Sequence, residues 1–151
     1  MISLSGVIKG KQRSPYIYAI AKGYCLYIGE TQRIPVSRWG EHLSPQGTFM
    51  RLLREADEEI WEDSGDMLFV GVQCDEIASL PVEEQKFVSQ YLEHKIHEKC
   101  ILNMHMLGPF EKIISDTLRT APAGCRYLPW MEVLVNEVFN EICVQLLERK
   151  L

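Results

Sequence analysis

Two phenols, a guanidinium and an imidazole fall within one short stretch of the chain, as Tyr18, Tyr27, Arg38 and His42. Tyr18 and Tyr27 lie in the run Tyr16-Ile17-Tyr18-Ala19-Ile20-Ala21-Lys22-Gly23-Tyr24-Cys25-Leu26-Tyr27-Ile28-Gly29, which reads as a β-hairpin. With Lys22-Gly23 as a two-residue turn, Ile20 faces Cys25, Ala19 faces Leu26 and Tyr18 faces Tyr27. Directly opposed residues share a face of the sheet, so both phenols project side by side. Arg38 and His42 are four residues apart, one turn of a helix. A phenol or imidazole can take a proton from water, and a guanidinium fork can clamp phosphate oxygens. Together they suit phosphodiester chemistry. Taken singly, each has a plainer use: the tyrosines as a cross-strand aromatic pair, Arg38 and His42 as a solvated helix face.

The elements that must position these groups follow from the pattern around them. Ser14-Pro15 punctuates the hairpin's start, since proline is tolerated at a strand's first position. Thr31 to Pro35 reads as a loop, and Pro35 suits a helix N-terminus, predicting a helix from about Pro35 to Leu43. Ser44-Pro45-Gln46-Gly47 breaks the chain. Residues 48–62 read as a second helix with Phe49, Leu52, Leu53, Ile60 and Trp61 as its apolar set, ending in a solvated acidic stretch, Glu58 to Asp63. Met67 to Val72 is short, apolar and partly β-branched, as in a buried strand. Pro81 opens a long helix to about Lys99 with Phe87, Val88, Tyr91, Leu92 and Ile96 as its stripe. Glu93 falls on the flank of that stripe, where a half-covered carboxylate can reach a cleft. Glu84 is its rival on the same helix. Residues 105–129 read as a linker with a helical turn or two near Ile113–Leu118. Trp130 to about Lys150 is again an amphipathic helix, with rows Leu134, Val138, Ile142, Leu146 and Val135, Phe139, Leu147. The expected fold is a small α/β (α+β) domain: a three-stranded, mainly antiparallel sheet flanked by helices over residues 1–104. A linker and helical extension over 105–151 would then dock on that domain or serve association.

Bulk properties narrow the class. The chain has 151 residues, 46% hydrophobic and 25% charged, as in an ordinary globular protein. No apolar run approaches the roughly 20 residues needed to span a bilayer, and the N-terminus lacks a signal-peptide core. The cysteines, Cys25, Cys74, Cys100, Cys125 and Cys143, are scattered without a CxxC pair, suggesting reduced thiols of a cytoplasmic, intracellular protein. Net charge is −5, yet residues 1–55 carry eight Lys/Arg against three Asp/Glu, while residues 56–151 carry eight against eighteen. The basic half is the half with the tyrosines, and local potential rather than net charge steers a polyanion. Lys9, Lys11 and Arg13 read equally as a solvated N-terminal arm. His94, His97, Cys100 and His105 invite a zinc reading, but the first three spread too far around one helix for a compact tetrahedral site.

Tyr16-Ile17-Tyr18 and Tyr27-Ile28-Gly29, followed by Glu30-Thr31, Arg38, His42, Glu93 and Asn103, resemble the motifs of the GIY-YIG nucleases over about residues 15–103. The resemblance implies a three-stranded antiparallel sheet flanked by helices and a metal-dependent DNA endonuclease. It further implies Tyr18, Tyr27, Arg38, His42 and Glu93 as catalytic residues, Glu93 as the ligand of one Mg²⁺ or Mn²⁺, and Gly29, Thr31 and Asn103 as substrate-binding. Tyr18 and His42 remain competing candidates for the general base. Two departures stand out: Tyr16 occupies the place of the first glycine, and Glu30 stands where some relatives have a lysine. The expected partner is DNA, with no membrane, and a homodimer or partner protein through the 130–150 helix. The other functions open to such a chain are nucleic-acid binding without cleavage and protein association on the same fold.

Overall fold

The computed structural model describes residues 5–116 and 128–148. Four strands and six α-helices follow one another along it: β1 (Arg13–Lys22), β2 (Cys25–Arg33), α1 (Val36–Leu43), α2 (Thr48–Ala56), α3 (Glu58–Glu62), β3 (Met67–Gln73), α4 (Asp75–Ala78), α5 (Val82–Leu102), β4 (Lys112–Ile113) and α6 (Met131–Glu148), with a 3-10 turn over Met104–Leu107. The fold is α+β, with a single mixed sheet in the order β3-β1-β2-β4. The strand β1 is central and antiparallel to both neighbours, whereas β4 pairs parallel with β2 at Cys25 and Leu26. The expected three-stranded, mainly antiparallel sheet is therefore corrected to four strands, the fourth arising from the stretch read as linker. A two-residue strand has too little pattern to register in sequence.

The hairpin register is also corrected. The turn is Gly23-Tyr24, so Lys22 pairs with Cys25, Ile20 with Tyr27 and Tyr18 with Gly29. Gly23 has φ +58°, the left-handed conformation that the first turn position demands and glycine supplies. Lys22 instead completes the strand, and its buried ammonium donates to the carbonyls of Trp61 and Asp63 where α3 ends. The shift is two residues, an even number, so each side chain keeps its predicted face.

Each face of β1 meets its own core. Ile17, Ala19 and Ala21 join Leu26, Ile28 and Val70 under α5 and α6, in a cluster that includes Leu92, Ile96, Val138, Phe139 and Ile142. Tyr18, Ile20 and Cys25 join Phe49 and Leu53 of α2 on the other face. The predicted helix over 48–62 is broken at Asp57, whose Oδ1 accepts from the Ile60 N–H and whose Oδ2 accepts from the Tyr24 hydroxyl. In α5 the buried stripe is Val88, Leu92, Ile96 and Cys100 with Ser89, Glu93 and His97, while Phe87 is largely exposed. Glu84 is exposed in the first turn. The helix α6 contacts α5 and β3 through Leu134, Val138, Phe139, Ile142 and Leu146. Part of the helical turn expected near Ile113–Leu118, and Cys125, lie outside the described residues. No helix among the described residues is long and apolar enough to cross a membrane.

Candidate active site

Strand β1 carries Tyr18 toward α1, and the residue opposite it decides where its ring can lie. That residue is Gly29; a Cβ there would run into the Tyr18 hydroxyl and ring. Gly29 thus makes room for the phenol. Tyr27, diagonal to Tyr18 on the same face, stacks on it with ring centroids 6.3 Å apart and planes at 24°. The edge of Phe49 closes on Tyr27 at 6.2 Å.

Helix α1 delivers His42 into this aromatic group, its ring 4.8 Å from that of Tyr27. His42 is 2% exposed. Its Nδ1 accepts the Phe49 backbone N–H at 3.3 Å, and its Nε2 lies 2.7 Å from the Tyr18 hydroxyl. Burial, with the Arg38 charge adding to it, depresses the imidazole to about 4, so it is neutral at pH 7. A neutral ring whose Nδ1 accepts must carry its proton on Nε2. His42 therefore donates to Tyr18 and holds no lone pair toward it. Of the two candidate bases, the imidazole is the one already committed as a donor.

Arg38 sits one turn before His42, half-exposed, with Nη1 2.5 Å from Glu41 Oε2. Burial raises both tyrosines above the ordinary phenol range. For Tyr18 the neighbouring Tyr27 adds to this and Arg38 opposes it; for Tyr27 the charge of Glu93 adds and Arg38 opposes. In the free protein both phenols are protonated at neutral pH.

Glu93 comes from α5, on the opposite face, at the edge of β2 beyond the short β4 pairing. It is 6% exposed and lines a cleft of about 250 Å³ with Tyr27, Ile28, Thr48, Arg51, Leu52, Ser115 and Asp116. Burial, then the charge of Glu30, lifts its carboxyl to about 8 against the pull of Arg38. Glu30 is itself raised by burial, with the Gln32 amide donating to it at 3.0 Å. One turn along α5, the fully buried His97 places Nε2 2.6 Å from Ser115 Oγ, which accepts the Ile28 N–H at 3.1 Å. This link holds the β2 edge beside Tyr27.

The structure thus brings together Tyr18, Tyr27, Arg38 and His42, with Glu93 at the adjoining cleft. It does not bring Asn103 there. Asn103 ends α5 with Nδ2 donating to the Lys99 carbonyl at 2.8 Å, and it lines a separate groove between α5 and α6. Thr31 is buried opposite Tyr16, its Oγ1 accepting the Arg33 N–H. Arg51, Ser115, Asp116 and His97 were not singled out from sequence for this cleft; Arg51 looks like any surface residue of an amphipathic helix, and Ser115 and Asp116 fall in the stretch read as linker.

The oxygen-rich cleft, with Glu93, Asp116 and the Tyr27 phenol, suits a hard divalent cation. Among the described residues no three His, Cys, Asp or Glu converge. An ion held here by one or two carboxylates would keep most of its waters, as Mg²⁺ does. Comparison of the chain with protein-family models, curated proteins and solved structures returns no match.

Proposed function

We propose that this protein is a metal-dependent DNA endonuclease of the GIY-YIG type, hydrolysing phosphodiester bonds between the Tyr18 cluster and Glu93. The observation that carries the reading is the Tyr18–His42 contact of 2.7 Å, made with a histidine that can only donate. A donor aimed at a phenol oxygen stabilises the phenolate, the form that takes a proton from water. Arg38 supplies a permanent positive charge beside both tyrosines for the phosphate oxygens. Glu93 would hold one Mg²⁺ or Mn²⁺; when bound, the ion neutralises the phosphate and the departing oxyanion and offsets the burial that keeps Tyr18 protonated. Tyr18, its own proton given up to solvent, would take the proton of the attacking water while His42 Nε2–H holds the phenolate oxygen; solvent would return a proton to the departing oxyanion, and Tyr27 would fix the Tyr18 ring by stacking.

A second reading, nucleic-acid binding with little cleavage, is favoured by Glu30. Its half-buried carboxylate adds to the burden on Glu93 where a cation would help. Incubation of supercoiled plasmid with Mg²⁺ separates the two. The nuclease reading expects nicking by the wild type and none by Glu93→Ala. DNA retention without nicking would favour the second.

A further inference from the structure

Beyond the tyrosines, β1 and β2 run on toward a concentration of unpaired positive charge. Arg13 and Arg33 are Cα partners across the two strands. Like charges set directly opposite destabilise a sheet unless something neutralises them. Both are exposed, as are Lys9 and Lys11 just before them. None of these four takes part in an ion pair among the described residues, whereas Arg38, Arg51, Arg54 and Lys95 each have a carboxylate partner.

The arm that carries the lysines is held in place. The Tyr16 hydroxyl, on a side chain only 3% exposed, lies 2.8 Å from the Lys11 carbonyl and 2.9 Å from Gln73 Oε1. Gln73 Oε1 also accepts the Lys11 N–H at 3.0 Å, and the Gln73 amide is fixed in turn by donating to Asp75 Oδ1 at 2.6 Å. Gly10 has φ +132°, and a Cβ there would collide with the Tyr16 hydroxyl. The Ile34 N–H closes the other side on the Gln12 carbonyl at 2.9 Å. A solvated tail needs no buried hydroxyl, no glycine in a left-handed conformation and no amide fixed by a carboxylate.

We propose that Lys9, Lys11, Arg13 and Arg33 form a binding track for the phosphate backbone of DNA, with Tyr16 as the residue that orders it. Side-chain alternation puts Arg33 on the same face as Tyr27, Gly29 and Thr31, and four residues of strand span about 13 Å. A backbone lying on the track therefore continues into the tyrosine cluster a few nucleotides away. The inference rests on the nuclease reading for that direction, while DNA binding by the track stands apart from cleavage.

The test is fluorescence anisotropy of a labelled DNA duplex in EDTA, titrated with full-length protein at several salt concentrations. Replacing both arginines, Arg13→Gln with Arg33→Gln, is expected to weaken binding about tenfold. It should also flatten the slope of log K against log[salt] by about 1.8, or roughly 0.9 for each phosphate that is no longer neutralised. Tyr16→Phe keeps every charge but frees the arm, and should weaken binding about threefold. Lys95→Gln, on α5, should leave binding unchanged. Wild-type affinity and slope in the double arginine variant would overturn the proposal, as would binding of the wild type to anionic vesicles but not to DNA. Binding that follows these expectations in a wild type that never nicks plasmid would sink the nuclease reading and leave the track standing.

Discussion

The two faces of β1 bury histidines in opposite service. His97, under the larger core, reaches Ser115 and through it the Ile28 N–H, so it fixes the edge of a strand. His42, under the smaller core, points its donor at the Tyr18 phenol oxygen, the atom proposed to take a proton from water. Both are held near pKa 4, chiefly by burial. Similar burial and pKa therefore do not separate the two histidines; under the proposed function, the group on the other end of the hydrogen bond does. The aliphatic face carries the stability, and the strain it must offset at neutral pH lies in one carboxyl, Glu93 of α5, held away from its charged form beside the cleft.

The contrast can be broken most forcefully in the larger core. Phe139→Ala empties a fully buried ring position between α6 and the sheet, with an expected loss of about 4 kcal/mol in denaturant unfolding. The Tyr18–His42 pair lies on the other face and should keep its geometry in whatever fraction stays folded. Altered histidine resonances for His42 in the folded variant would show that the two faces are coupled.

Glu93 offers the next largest effect and has an unambiguous sign. Its folded pKa of about 8 lies above the ordinary carboxylate value, so the unfolded chain sheds this proton first as pH rises. This carboxyl therefore lowers stability as pH climbs from about 4.5 to about 8, with no further change above. Glu93→Gln should accordingly be more stable than the wild type at pH 9, the gap closing by pH 4.5. Mg²⁺ at pH 8 should raise the Tm of the wild type and leave that of Glu93→Gln unmoved. A parallel pH dependence in the two proteins would mean that Glu93 is not a strained carboxylate.

Gly29→Ala tests the smaller face by addition. The new methyl must displace the Tyr18 ring, at a cost of about 2 kcal/mol. Because the ring moves, cleavage should fall further than stability does. Unchanged activity would mean that the position of Tyr18 is not critical.

Much of this was legible in the chain. The shared face of Tyr18 and Tyr27 followed from alternation and survived a wrong turn assignment, because an even slip preserves parity. The turn itself was misjudged because Lys22 looks like a turn residue until the carbonyls ending α3 are there to receive it. Arg38 and His42 were correctly one turn apart, but nothing in sequence announces that a backbone N–H from Phe49 fixes the imidazole's tautomer. Glu93 was drawn from helical position; its cleft was not, since Ser115 and Asp116 arrive from a stretch without period. Asn103 was placed after the helix, where it caps α5, but the sequence does not show that this end lies away from the cleft.

The central claim is that Tyr18 takes the proton and His42 supports it as a donor. The direct measurement is the pH–rate profile of single-turnover DNA cleavage in Mg²⁺ for the wild type, Tyr18→Phe and His42→Ala. The account predicts a loss on the order of 10²- to 10⁴-fold in Tyr18→Phe at every pH, as expected for removing a general base. In His42→Ala it predicts a smaller loss with the rising limb moved to higher pH, since the phenolate has lost its donor. Full activity in Tyr18→Phe, or a rising limb that vanishes only in His42→Ala, would contradict it.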